Sequence, residues 1–373
     1  MQRKDFIKAE VGIIGAGVAG SYLAYLLSNE GIDVILIEKS RKIKVDSGIV
    51  STNIKNFLKI KESLILDKIK EMNFFSSKSS FYLFSNKPFA YILKRKEFGR
   101  YLRKIATKSG AKLYYDECEK IKLNKDFYVI GKNNKYIFKI LVGCDGANSI
   151  VRKFLGIEEP KFAIGYIHKL RKKIEIKKIS VYHDKKYSKR FFGWIIPQNR
   201  EIGLMTEIKN SKEKFSKFLR DKVNENFDNK DYFHLIPITT TKSFYKNAIL
   251  VGDACGQTKP LTGGGIIYSL ICAEKAKDAI INHIEYNKKL EIYEKLWKKE
   301  IYKEILLQRF IRNIYESFNN NQIEEIFREI NKIKLENFEY DSSSSLLKEF
   351  ARKEPKKIAR LFIIFFKNFL SFF

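Results

Sequence analysis

Ile13-Ile14-Gly15-Ala16-Gly17-Val18-Ala19-Gly20 decides the reading of this chain. Residues 11–14 are apolar and read as a buried strand. Residues 19–30 carry a helical pattern, and Val34 to Glu38 form a second apolar run. Strand, glycine turn, helix and strand within about 30 residues make a βαβ unit with a dinucleotide fingerprint. In that unit Gly15 permits the tight turn, and Gly17 lets the backbone approach a pyrophosphate. Gly20 lets helix and strand pack closely. The helix N-terminus then offers its partial positive charge to the phosphates. Glu38, 18 residues after Gly20, ends the second strand where a carboxylate can accept from a ribose diol.

Two more glycine-rich stretches follow. Gly143-Cys144-Asp145-Gly146-Ala147-Asn148-Ser149, with Arg152 beyond it, succeeds a strand over Ile140 to Val142. Val251-Gly252-Asp253-Ala254 closes another, and Pro260-Leu261-Thr262-Gly263-Gly264-Gly265-Ile266 opens a helix expected to run from Gly264 to His283. Asp253 can hold a ribityl or ribose hydroxyl. The N–H groups of the glycine run can face a pyrophosphate or a flavin's pyrimidine edge.

Between these motifs the pattern alternates. Residues 54–72 carry helical apolar spacing, as do 96–108, with Gly110 as a stop. Short strands are expected over Lys112 to Tyr115, Phe127 to Ile130 and Tyr136 to Val142. Residues 160–246 read as strand-rich, residues beyond 286 as helical and highly charged, and Ser342 to Ser345 as a loop. The expected fold class is α/β (α+β). A discontinuous cofactor-binding domain covers 1–155 and 245–285, with 45–95 at the cofactor–substrate interface. An antiparallel-sheet substrate domain covers 156–244, and a helical region with an apolar, basic tail covers 286–373.

The three motifs in this order resemble those of the para-hydroxybenzoate hydroxylase superfamily. Phe192-Gly193-Trp194-Ile195-Ile196-Pro197 narrows the resemblance to geranylgeranyl reductases, whose similar motif lines the lipid pocket. The resemblance implies FAD as cofactor, bound through Gly15, Gly17, Ala19, Gly20, Glu38, Ser47, Gly48, Arg95, Asp253, Gly264, Gly265 and Ile266. It places Trp194 and Pro197 at the substrate. On residue type alone, Arg95 is equally a solvated charge, and a strand Trp such as Trp194 is more often core. One departure stands out: where the family has Cys-Gly, the stretch Val45-Asp46-Ser47-Gly48-Ile49-Val50 has Ser47, so a thiol role is lost there while backbone contact survives.

The implied activity is saturation of carbon–carbon double bonds in geranylgeranyl chains of isoprenoid ether-lipid precursors by hydride from reduced flavin. Alternatives are an FAD-dependent aromatic monooxygenase and a catalytically weak flavin- or lipid-binding homologue. No second fingerprint marks a resident nicotinamide, so the external reductant is ferredoxin, a deazaflavin or NAD(P)H. No residue is assigned as catalytic acid, because His168, His183, His234 and His283 fall in no motif.

Composition sets the remaining bounds. The 373 residues carry a formal net charge of +29, which suits nucleic acid or an anionic membrane, or reflects A/T-rich coding. No RNP-like aromatics or zinc-finger spacing favours nucleic acid. The four cysteines form no C-x-x-C pair and suggest no metal site. No N-terminal apolar h-region marks a signal peptide, so a reducing cytoplasm is expected. No apolar run reaches the roughly 18 residues of a bilayer span. The C-terminal sequence from Lys356 to Phe373 is basic and aromatic, suited to a membrane interface or to packing on the protein's own core.

Overall fold

The computed structural model describes residues 6–43, 47–171, 174–228, 231–335 and 338–370, with side chains left out at 332, 333, 362 and 364–370. Val45, Asp46 and residues 371–373 of the stretches quoted above therefore lie outside the described residues.

The N-terminal unit forms as its sequence requires. Strand Ile7–Ile14 pairs in parallel with Val34–Glu38 on one side and Lys135–Gly143 on the other. Helix Val18–Asn29 buries Leu23, Ala24 and Leu27 against that sheet. The full sheet has eight strands. Its path runs Phe244–Tyr245, Ala248–Leu250, Lys135–Gly143, Ile7–Ile14, Val34–Glu38, Lys112–Tyr115, with a meander through Phe127–Gly131 and Cys118–Leu123 beside it. The core packs the sheet against Val18–Asn29, Arg95–Lys108 and Ile266–Tyr286 through side chains such as Leu36, Leu102, Ile249 and Leu270.

Register explains why distant motifs meet. Ile14 lies opposite Ile37 on one side and Gly143 on the other, and Gly143 lies opposite Leu250. The segments that follow, at Gly15, Glu38, Cys144 and Val251, leave the sheet side by side at its carboxyl edge. Ligands of open parallel sheets bind at that edge.

A second eight-stranded sheet runs Tyr232–Pro237, Phe162–Lys169, Glu201–Thr206, Gly193–Ile196, Ser180–Tyr182, Glu71–Phe75, Ser80–Phe84, Lys332–Lys334. It is mostly antiparallel, and it recruits strands from 71–84 and 332–334 as well as from 162–237. A three-stranded sheet, Ile49–Ser51, Ala90–Leu93 and Ile65–Ile69, is drawn from the stretch between strands Val34–Glu38 and Lys112–Tyr115.

Three expectations are corrected. Residues 54–72 are not a helix. They form short 3-10 turns at Thr52–Asn56 and Glu62–Leu64, then strands Ile65–Ile69 and Glu71–Phe75. Ile65 and Ile69 are buried while Leu66 is exposed, and Ala90–Leu93, wholly buried, supplies their hydrogen-bonding partner. The strand-rich stretch contains a helix, Ser211–Val223, whose Phe215, Phe218 and Leu219 cover the second sheet. Ser342 to Ser345 open the helix Ser343–Lys353, because the Ser342 hydroxyl accepts from the Ser345 N–H at 3.0 Å and caps it.

Candidate cofactor and substrate cavity

The glycines of the first turn have separate tasks. Gly15 has φ +100°, and a Cβ there would lie 2.4 Å from the Cys144 carbonyl oxygen. A Cβ at Gly20 would lie 1.9 Å from the Gly15 carbonyl oxygen, so helix and turn touch through bare backbone. At Gly17 a Cβ would meet nothing within 4 Å. The helix after Gly17 starts without a side-chain cap, and Gly15, Gly17, Val18 and Ala19 line a large cavity. The first-turn N–H groups, which have no partner within a helix, are thus presented to that space.

Glu38 is fixed beside this turn. Its carboxylate accepts from the Ala16 N–H at 2.8 Å and the Ser40 N–H at 3.0 Å. Arg103, buried on helix Arg95–Lys108, pairs with it at 3.4 Å. The same guanidinium donates to the carbonyls of Ala16, Ser40 and Arg41. Sequence reasoning missed Arg103. The available signal was an arginine in the apolar stripe of Phe98, Leu102 and Ala106, where a buried charge needs partners.

The second motif works through capping. Asp145 accepts from the Ser149 hydroxyl at 2.6 Å and from the N–H groups of Ile150 and Val151. Burial nevertheless pushes its carboxyl above the usual range. Arg152, fully buried, donates to the Ala254 carbonyl at 2.8 Å and joins the second motif to the third. In the third, Gly263 has φ +74°, and a Cβ at Gly264 would lie 2.7 Å from Lys259 Cε. A Cβ at Gly265 would lie 3.1 Å from Asp253 Oδ1. The Lys259 ammonium pairs with Asp341 at 2.9 Å, both buried, and ties this loop to the C-terminal helices.

One cavity of about 2520 Å³ connects these elements to the second sheet. Small-molecule pockets usually measure about 300–1,000 Å³, so this volume can hold a dinucleotide together with a second large ligand. Gly15, Gly17, Ala19, Glu38, Ser47, Arg95, Asp253, Gly264, Gly265 and Ile266 all line it. Gly20 and Gly48 do not, and each serves the wall from behind. Gly48, at φ +71°, leaves no room for a Cβ beside the Leu93 carbonyl and the Arg95 side chain. The cradle of glycines, the helix N-termini, Glu38 and Asp253 fit FAD.

The other end of the cavity is apolar. Met72, Phe74, Leu83, Val181, Trp194 and Ile196 form a wall from one face of the second sheet. Trp194 sits over Gly203, where a Cβ would be 2.2 Å from its ring. Its indole N–H donates to Glu201 at 3.0 Å. Glu201, fully buried, also receives Lys169 and Asn199. Pro197 is not in the wall; it starts the 3-10 turn Pro197–Asn199. His183 and Tyr315 are protic exceptions in this compartment, with ring centroids 5.5 Å apart. The His183 Nδ1 and the Tyr315 hydroxyl have no hydrogen-bond partner among the described residues. Burial, then the nearby Lys185, holds the His183 imidazole down to about 4, and burial pushes the Tyr315 phenol up. His168 serves the fold instead, between Asp231 and Glu225. Cys144, the thiol closest to the fingerprint, is raised well above the ordinary thiol range by burial and stays protonated. No cluster of metal-ligating side chains occurs among the described residues.

Comparison with known proteins bears on the fold. Residues 13–47 match the NAD(P)-binding Rossmann-like domain family. The digeranylgeranylglycerophospholipid reductase of Methanosarcina acetivorans is 25% identical, over 91% of this chain and 93% of that protein. The crystal structure of a geranylgeranyl bacteriochlorophyll reductase-like protein from Thermoplasma acidophilum superposes with a TM-score of 0.82 at 19% identity, covering 96% of this chain and 100% of that one. Halogenase PltM, solved with phloroglucinol and FAD, superposes at 0.66 and 15% identity over 86% of this chain and 79% of its own. The chain thus has the fold of the FAD-dependent oxidoreductases and resembles the geranylgeranyl reductases over nearly its whole length.

Proposed function

We propose that this chain binds FAD and saturates carbon–carbon double bonds in geranylgeranyl chains of isoprenoid lipid precursors. The observation that carries the reading is the continuity of one cavity, glycine-built at the carboxyl edge of the parallel sheet and apolar over the second sheet. The names of the sequence relatives, digeranylgeranylglycerophospholipid reductase and geranylgeranyl diphosphate reductase, support the same substrate class.

Gly15, Gly17 and Ala19 would hold the pyrophosphate at the helix N-terminus, and Glu38, positioned by Arg103, would receive the adenosine ribose. Asp253 and the loop from Gly264 to Ile266 would hold the ribityl chain and the ring, and Arg95 and Ser47 would reach the cofactor from the same cavity wall. When bound and reduced, the flavin supplies hydride. The protein's part is to align the chain along Trp194 and Phe192 and to exclude water. Electrons come from an external donor, a ferredoxin, a deazaflavin or NAD(P)H. A membrane-resident substrate of this class would be met by a peripheral protein at the cytoplasmic face of a membrane.

Anaerobic reduction tests this directly. The yellow protein is reduced with dithionite, mixed with digeranylgeranyl lipid, and the lipid is weighed by mass spectrometry. One H2 gained per saturated bond, with return of the oxidised flavin spectrum, is the expected result. Stable reduced flavin with unchanged lipid refutes the reaction, and hydroxylated aromatic product under oxygen points to a monooxygenase.

A further inference from the structure

Three C-terminal helices, Lys303–Ser317, Ser343–Lys353 and Pro355–Leu370, pack against one another beside the apolar compartment. They expose large apolar side chains: Leu306 at 44%, Phe310 at 58%, Leu347 at 38% and Ile363 at 55%. Scattered apolar side chains on a surface need no explanation, but a cluster on adjacent elements does. Phe310 and Leu347 also line the cavity, so the cavity reaches the surface at these two side chains. Leu306 and Phe310 stand three and seven residues after exposed Lys303, on one helical face. Ile363 stands seven residues after exposed Lys356, also on one face.

Basic side chains flank the cluster. Lys303, Lys348 and Lys356 are exposed. The acidic groups of the first two helices nearest the opening turn inward. Glu304 accepts from the N–H groups of Ser343 and Ser344, and Glu349 is buried and paired with Arg352. Pro355–Leu370 contains four basic residues and no acidic one. No helix among the described residues is long and apolar enough to cross a membrane. Apolar side chains on amphipathic helices, ringed by lysines, suit insertion into the interface of an anionic bilayer.

We propose that this face seats the protein on an anionic lipid surface, with the opening at Phe310 and Leu347 turned toward the bilayer. A lipid chain then passes from membrane to cavity without exposure to water. The proposal rests on reading the cavity as a lipid compartment.

The test is flotation of the FAD-loaded protein with vesicles of phosphatidylcholine, with and without phosphatidylglycerol. Binding is expected to be at least about tenfold stronger to the anionic vesicles. Lys303→Glu, Lys348→Glu and Lys356→Glu together are expected to weaken it by roughly 100-fold, at about fivefold or more for each lost basic contact. Leu306→Ser with Ile363→Ser weakens it further, and these five positions lie outside the cavity wall. The lysine triple variant is expected to keep its rate on detergent-dispersed lipid and to lose its rate on vesicle-embedded lipid. Equal binding of the triple and parent proteins overturns the proposal. So does a stable dimer that buries this face and ignores vesicles. Vesicle binding without turnover sinks only the reductase reading, and turnover on dispersed lipid without vesicle binding sinks only the docking.

Discussion

Gly17→Asp should abolish FAD binding while leaving the empty protein folded. Gly17 is the N-cap of helix Val18–Asn29, with φ −76° and ψ −160°, a conformation open to any residue. A Cβ there meets nothing within 4 Å, so no clash arises. Aspartate is a favoured N-cap, and the empty protein should gain a few tenths of a kcal/mol. The new carboxylate occupies the volume meant for the pyrophosphate. At about 4 Å and an effective dielectric constant of about 20, each like-charge contact costs roughly 4 kcal/mol. Lost N–H donors add to that, so FAD affinity should fall by about 1,000-fold or more. Gly20→Ala gives the contrasting result. Its Cβ would stand 1.9 Å from the Gly15 carbonyl oxygen, forcing the helix from the turn. Against a helix-propensity gain of about 1 kcal/mol, overpacking of this kind costs about 3 kcal/mol or more, a net loss near 2 kcal/mol. Thermal melts of FAD-stripped protein and calorimetric titration with FAD separate the two. A Gly17→Asp protein that melts as early as Gly20→Ala, or that binds FAD within tenfold of the parent, refutes the division of labour.

Two further outcomes are expected. His183 titrates near 6.5 in the unfolded chain but only at about 4 in the fold, so the unfolded state binds more protons between those values. Stability should therefore fall as pH drops from about 6.5 to about 4, by as much as about 3 kcal/mol from this group. His183→Phe should lessen that fall in urea titrations at the two ends of the window, and an unchanged slope counts against the assignment. Glu201→Leu leaves the Trp194 indole N–H without its acceptor, a loss of about 1–3 kcal/mol. It should raise KM for lipid without changing FAD affinity, and Glu201→Gln should restore most of the loss. Identical KM values in all three proteins would separate Trp194 orientation from substrate binding.

The sequence by itself determined the parts whose constraints are local. Gly15-Ala16-Gly17-Val18-Ala19-Gly20 specified its turn because Gly15 supplies a positive φ and Gly20 the bare contact with the Gly15 carbonyl, both within six residues. The strand from Val34 to Glu38 was legible because a four-residue apolar run ending in a carboxylate has one use in such a unit. Helix Arg95–Lys108 was legible because its apolar side chains recur every fourth residue up to a glycine. Only the tertiary structure decided what depended on distant partners. Residues 65–69 show helical spacing in isolation and become a strand because Ala90–Leu93 offers an unsatisfied hydrogen-bonding edge. Arg103 became part of the cofactor wall because Glu38 and the carbonyls of Ala16, Ser40 and Arg41 converge on it. Pro197 left the wall because it starts the 3-10 turn after the strand, while Trp194 and Ile196 stayed, Trp194 held by Glu201. Short-range sterics are written in consecutive residues. Burial, ladder pairing and charge satisfaction are properties of segments that meet only after the chain has folded.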